Sequence, residues 1–339
     1  MSPRFLFICK IGAGYGYTHR SASGLRTSAQ LVVDMLNASG IPAKVVNVID
    51  NNDIDREVSA FKPTHVVIEA LWVVPSKFPV LHKLHPKVTW IVRVHSDLPF
   101  LAEEGIGMQW LFEYIKHPSV RIAFNLKATF QDFAQMVNPG NRYQVLYLPN
   151  YYPAPARVVS PLTPGVLKVG CFGAIRSLKN QLMQAAAAIR YADSVARRLE
   201  FNINSGRVAG QFGQSILNNI RYLFKDTQHK LVEWPWLDRK EFLSIIAKMD
   251  IELAVSMTET FCIVAADAIA SGVPLICSAQ IPWAASSSIV AASTNAIIAK
   301  LGELTNQSFR TQLFDADKAG LTNYGITARL IWTNPANYA

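Results

Sequence analysis

The chain is poor in charge: 17% of its 339 residues are Asp, Glu, Lys or Arg, against 50% hydrophobic. That balance excludes a disordered chain and leaves ample apolar material for cores. Cysteine is scarce. Cys9, Cys171, Cys262 and Cys277 each lie in an apolar run, and none stands at C-x-x-C spacing. This excludes a disulfide framework and a thiolate metal site, and it reads as reduced core thiols in a cytoplasmic protein. No apolar run approaches the roughly 18 residues of a membrane span. The run Phe5 to Cys9 is too short for a signal peptide and reads as a first strand. Internal repeats and low-complexity tracts are absent. Acidic residues are the rarer sign, 24 against 33 basic, and the net charge of +9 is spread over both halves of the chain. Such a surplus suits acidic partners: a nucleotide, nucleic acid or an anionic membrane surface.

What is there alternates. Apolar strand candidates stand at 4–9, 44–49, 65–69, 88–94, 121–125 and 144–148, with helical stretches between them. Continuous apolar strands separated by helices predict a parallel sheet covered on both faces. Residues 149–165 hold five prolines and no periodicity, which marks a linker. A second alternation follows, with strands at 167–172, 201–204, 230–233 and 249–255 and an apolar run at Leu275–Cys277. The expected organisation is a first α/β domain over 1–152, a linker over 153–165, a second α/β domain over 166–310 and a segment 311–339 returning to the first.

The stretch Thr258 to Ile276, TETFCIVAADAIASGVPLI, carries the strongest chemical signal. It predicts a loop, a helix starting near Phe261 and ending at Gly272, a turn and a strand. Glu259 would sit in the entry loop, beside helix N–H groups that lack partners within the helix, and Asp267 on about the same face two turns on. An ordinary crossover helix, with Glu259 complementing the dipole and Asp267 solvated, has the same spacing.

Other loops add candidates. Glycines 12, 14 and 16 follow the first strand, with His19, Arg20 and Arg26 beyond them, although the pattern is not G-x-G-x-x-G. The fourth strand ends in His95-Ser96-Asp97-Leu98-Pro99, which also reads as a helix cap. The strand at 167–172 leads to Arg176, Lys179 and Asn180, where two cations near a helix N-terminus can neutralise a diphosphate. Trp234 and Trp236 are candidates to stack on a base or to pack in a core. Asp53-x-Asp55 and Asp315-x-Asp317 lack the strand context of a metal motif and read as surface acids. His82 and His85 read as surface residues without acidic partners.

Glu259, Phe261, Asp267, Ala268, Ala270, Gly272 and Pro274 resemble the Glu-x7-Glu signature of retaining glycosyltransferases of family 4, with Asp in place of the second Glu. The resemblance implies the GT-B fold, two Rossmann-like α/β domains facing across a cleft. It also implies a nucleotide-sugar donor, with UDP-hexose expected, and transfer with retention and without an essential metal or other cofactor. By the same resemblance, Gly12, Gly14, Arg176, Lys179 and Asn180 would meet the donor diphosphate, with Ala174 where the family has arginine. Glu259 and His95 would meet the sugar, Thr260 and Phe261 would belong to the donor site, Asp267 would hold the ribose, and Trp234 and Trp236 the base. His19, Arg20 and Arg26 would face the acceptor. Asp97 would be the base if the chemistry is inverting. The acceptor is open between a hydroxymethylated base in double-stranded DNA, slightly favoured, and a lipid-linked or other saccharide, with peripheral membrane contact not ruled out. A nucleotide-sugar epimerase or a silent sugar-binding protein is the alternative of another class.

Overall fold

The computed structural model describes residues 2–11 and 24–338. They form two compact units, Met1–Pro153 with Tyr324–Ala339, and Ala154–Asn323.

The first unit is built on six parallel strands: β1 (Phe5–Lys10), β2 (Ala43–Val48), β3 (His65–Glu69), β4 (Thr89–Val94), β5 (Val120–Phe124) and β6 (Val145–Tyr147). Their order is β2-β1-β3-β4-β5-β6. Successive side chains of a strand point to opposite faces, so each apolar run feeds two cores. Leu6, Ile8, Val66, Ile68, Trp90 and Val92 pack under Ile54, Val58, Phe78 and Leu81 on one face. Phe5, Phe7, Val67 and Ile91 pack on the other against Ala29, Val32 and Leu36 of the helix Gly24–Ala38. Trp332 closes that second core. Its ring stands edge-on to Phe5 at 6.0 Å and its indole N–H donates to Pro149 O at 2.8 Å.

The second unit holds five parallel strands: β7 (Val166–Gly170), β8 (Arg198–Asn204), β9 (Lys230–Trp234), β10 (Ile251–Ala254) and β11 (Leu275–Cys277). Their order is β11-β10-β7-β8-β9. The chain therefore moves outward from β7 through β8 to β9, returns to the other side of β7 and continues outward through β10 to β11. The direction reverses between β7 and β10. In open parallel sheets the crevice at the carboxyl ends of such a pair is where ligands collect. The equivalent reversal in the first unit lies between β1 and β3.

The helix after β10 spans Ile263–Ala270, two residues later than the expected start at Phe261. Phe261 is drawn into the core beside Trp283, whose indole N–H donates to its carbonyl at 2.8 Å, and Cys262 takes a left-handed φ of 59°. The far end falls as its glycine predicts. Gly272 has φ 87°, and a Cβ there would meet Val158 O at 2.6 Å. The helix Gln307–Thr333 contributes Leu313 to the core of the second unit and Trp332 to that of the first.

Two expectations need correction. Asp317 is not a surface acid but fully buried. It accepts from Ala285 N at 2.8 Å and Ser288 Oγ at 2.5 Å, and burial pushes its carboxyl up to about 7. His85 does have an acidic partner, Asp55, at 2.7 Å, because the loop before β4 folds back on the helix Asp53–Phe61.

Candidate functional site

Lys179 and Glu259 meet at the reversal point of the second sheet. Lys179 ends a single 3-10 turn after β7, and Glu259 lies in the loop after β10. Their side chains form a direct ion pair, 13% and 7% exposed. Each group confirms the other electrostatically. Burial alone would raise the Glu259 carboxyl, but Lys179 and then Arg176 outweigh it, and Glu259 lies below its ordinary range. Burial would lower the Lys179 ammonium, and Glu259 holds it above its ordinary value instead. Both groups are charged at neutral pH. Ser256 Oγ donates to the same Glu259 oxygen at 2.9 Å.

A frame of amides holds the two loops together. Asn180 takes the left-handed conformation that asparagine tolerates, φ 57°, and its side chain donates to Val255 O at 3.1 Å. Gln184 donates to Lys179 O at 2.9 Å and accepts from Val255 N at 2.8 Å, so one side chain clamps both loops. Gly173 N donates to Asn204 Oδ1 at 3.0 Å. Asn180 was singled out in the sequence, whereas Gln184 and Asn204 were missed, since a glutamine inside a helix carries no signal of its own.

Beneath the ion pair lies Glu252, on β10 and wholly buried. Its Oε1 accepts from Phe172 N at 3.0 Å, while Oε2 has no partner among the described residues. The carboxyl occupies the place of a side chain on Gly170, since a Cβ there would stand 2.1 Å from Oε2. Burial raises this acid to about 8, with Lys179 lowering and Asp267 raising it in smaller measure. At neutral pH Glu252 is a neutral acid.

Asp267, the second carboxylate of the motif, is 3% exposed and gripped by the Arg239 guanidinium, Nη1 to Oδ2 at 3.1 Å and Nη2 to Oδ1 at 2.7 Å. Arg239 was not singled out in the sequence. Thr260 is half-buried and Phe261 fully buried. Trp234 donates its indole N–H to Asn202 Oδ1 at 3.0 Å, and the Arg207 guanidinium lies over the Trp236 ring at 4.9 Å.

In the first unit the ends of β3 and β4 carry a buried charge network. Glu69 accepts from Arg93 Nη1 at 3.1 and 3.3 Å and pairs with His95 Nε2. Arg93 also donates to Leu148 O at 3.1 Å and Asn150 Oδ1 at 2.5 Å. Burial would raise Glu69, but Arg93 and His95 bring it below its ordinary value. His95 is held below the usual imidazole range, chiefly by burial and against the pull of Glu69. Its ring is then neutral at pH 7, with Nε2–H toward Glu69 and Nδ1 3.3 Å from Asn125 Nδ2. Glu69 closes β3 and Arg93 stands one residue before the end of β4, and that position was their one sequence signal.

Asp97 caps the short helix Leu98–Leu101, accepting from Leu98 N at 2.8 Å and Thr129 Oγ1 at 2.7 Å. Arg26 lies half-buried in the first turn of Gly24–Ala38. Gly12, Gly14, His19 and Arg20 lie outside the described residues. Among the described residues no group of three or more His, Cys, Asp or Glu is placed to hold a metal ion. No helix among them is long and apolar enough to cross a membrane.

No family model and no curated protein matches the sequence. Solved structures do match the fold. A trehalose-6-phosphate synthase, OtsA, superposes with a TM-score of 0.70 at 12% identity, covering 96% of each chain. Sucrose-phosphate synthase from Thermosynechococcus elongatus gives 0.67 at 12% identity, again over 96% of each chain. An E. coli structure described as trehalose-6-phosphate bound with UDP-2-fluoro glucose gives 0.62 at 11% identity over 97% of each chain. The fold class is thus α/β of the GT-B type, with two parallel-sheet units like those of the glycosyltransferase structures it matches.

Proposed function

We propose that the protein is a glycosyltransferase that moves a sugar, with UDP-hexose expected, from a nucleotide donor to a hydroxyl acceptor, with retention, in the manner of family 4. The observation that carries this reading is the buried Lys179–Glu259 pair, with Arg176 within electrostatic reach, at the reversal point between β7 and β10. An arriving diphosphate competes for Lys179, and Glu259 released from that ammonium accepts hydrogen bonds from sugar hydroxyls. As the bond from the anomeric carbon to the diphosphate breaks, negative charge grows on the leaving oxygens, where Lys179 and Arg176 stabilise it. The acceptor oxygen bonds to the anomeric carbon, and its proton passes to the leaving phosphate. The chain's own cations supply the charge, so the reading needs no metal.

For the acceptor, the basic surplus favours a hydroxymethylated base in DNA. The names of the fold neighbours, sugar-phosphate synthases, favour a saccharide. The test is UDP release from UDP-glucose with hydroxymethylpyrimidine DNA, with saccharides and with neither, followed by mass spectrometry of the product. DNA-stimulated release with a hexose on the base assigns the DNA acceptor. Release that ignores DNA and follows a saccharide assigns the other. Glu259→Ala should abolish either. Failure of every nucleotide sugar to turn over or bind overturns the proposal.

A further inference from the structure

Glu259 stands on a loop that bends sharply before it becomes a helix. Cys262, the residue ahead of the helix Ile263–Ala270, is left-handed at φ 59°. That conformation is costly for a residue with a Cβ and persists where its surroundings impose it. The φ of a residue is the rotation of the preceding peptide plane against its Cα. Here that plane is the amide joining Phe261 to Cys262. Its oxygen accepts from the Trp283 indole N–H at 2.8 Å, and the two rings, Phe261 and Trp283, pack with centroids 6.2 Å apart. A side chain from 22 residues further along thus grips the peptide that sets the bend.

Trp283 is itself strapped down. It lies buried in residues 278–288, which follow β11. Beyond it, Ala285 N donates to Asp317 Oδ1 at 2.8 Å and Ser288 Oγ to Asp317 Oδ2 at 2.5 Å, so one buried carboxyl clips both ends of a short turn. The helix that carries Asp317 also comes up against the Trp283 carbonyl. At Gly320 a Cβ would stand 2.2 Å from that oxygen, and this close approach accounts for a glycine in mid-helix, where glycine is otherwise disfavoured. The chain then returns to β11, with Val290 N donating to Cys277 O at 2.8 Å.

We propose that Trp283 and Asp317 are positioning residues for Glu259. The strap 278–288, anchored on Asp317, holds the Phe261 carbonyl through Trp283 and so fixes where the Glu259 carboxylate stands beside Lys179. The proposal rests on the reading of Glu259 as the acceptor of sugar hydroxyls. Hydrogen bonds from those hydroxyls are directional and weaken steeply as they bend. A shift of about 1 Å in the group that receives them is enough to cost on the order of a hundredfold.

The experiment is calorimetric binding of UDP-glucose and of UDP to the full chain, to Trp283→Phe, Asp317→Ala and Asp317→Asn, and to Glu259→Gln alone and combined with Trp283→Phe. The readout is the ratio of the two affinities, which isolates the sugar. In Glu259→Gln the ratio should fall on the order of tenfold, the size of a charge-assisted hydrogen bond. Trp283→Phe keeps a ring against Phe261 and gives up the N–H. It should lower the ratio at least about threefold and leave UDP affinity within about twofold. Asp317→Ala should act likewise, and Asp317→Asn, which keeps an oxygen for Ala285 N, should restore most of the ratio. Adding Trp283→Phe to Glu259→Gln should lower the ratio no further, because both act through one carboxylate. A ratio unaltered in Trp283→Phe while Glu259→Gln lowers it overturns the proposal. So does equal weakening of both ligands, the mark of a purely structural role. Should the alanine variant not fold, Trp283→Phe decides alone. If the unaltered chain binds neither UDP-glucose nor UDP, or Glu259→Gln leaves the ratio as it was, the reading of the site itself fails and the proposal falls with it.

Discussion

Replacing Glu252 by glutamine should stabilise the protein at neutral pH and leave it nearly unchanged in acid. The folded acid titrates at about 8, against an ordinary 4.5, chiefly because it is wholly buried. Between those values the folded state keeps a proton that the unfolded chain releases. Stability falls with pH wherever the folded state binds more protons. The contribution of this group is therefore complete below 4.5 and is lost as pH rises towards 8. The slope is about 1.4 kcal/mol per pH unit. By about pH 7 the accumulated loss is roughly 3 kcal/mol, and above the folded value it levels off. Glutamine has no proton to release, keeps an oxygen for Phe172 N and fits the space left by Gly170. The assay is urea unfolding of both proteins across this range. The stability difference should be small in acid, grow with pH and reach a plateau above about pH 8. A difference independent of pH would refute the reasoning, because Glu252 would then be ionised in the fold or partnered on Oε2.

Other perturbations follow from the same geometry. Glu69→Ala leaves the Arg93 guanidinium buried without its carboxylate and should cost about 3–5 kcal/mol in chemical denaturation, with much of that recovered in a Glu69→Ala/Arg93→Met pair. Gly272→Ala imposes a left-handed φ on alanine, at roughly 1–2 kcal/mol, and adds a clash with Val158 O; thermal unfolding should show a loss at least that large. Lys179→Met removes the cation that the proposed reaction sets against the leaving diphosphate and should lower kcat at least a hundredfold, on the order of one lost transition-state donor, and a smaller fall would move the anion site elsewhere.

The architecture was legible because both sheets are parallel. Strands buried on two faces leave continuous apolar runs, and β1, β3, β5 and β9 fall within about a residue of the expected stretches. The start of the helix after β10 was not legible, since it depends on Trp283 binding Phe261 O from a distant stretch of chain. Lys179 and Glu259 could each be picked out, but their pairing across 80 residues could not. Asp317 and Glu252 show the deeper limit. Nothing local distinguishes a surface carboxylate from one that folding buries as a neutral acid. Arg239 belongs with them, because its meaning lies in a partner 28 residues away.

The shared helix Gln307–Thr333 bears on the order in which the polypeptide can mature. One face of the first sheet is sealed by Trp332 against Phe5 and Phe7, and by Tyr338 against Phe5 and His65. On the ribosome those residues emerge only after the whole of residues 154–323 has been made. The nascent first sheet therefore waits with its aromatic face unsealed while the second unit completes its own core. During synthesis, that face is where a holding chaperone would find its purchase.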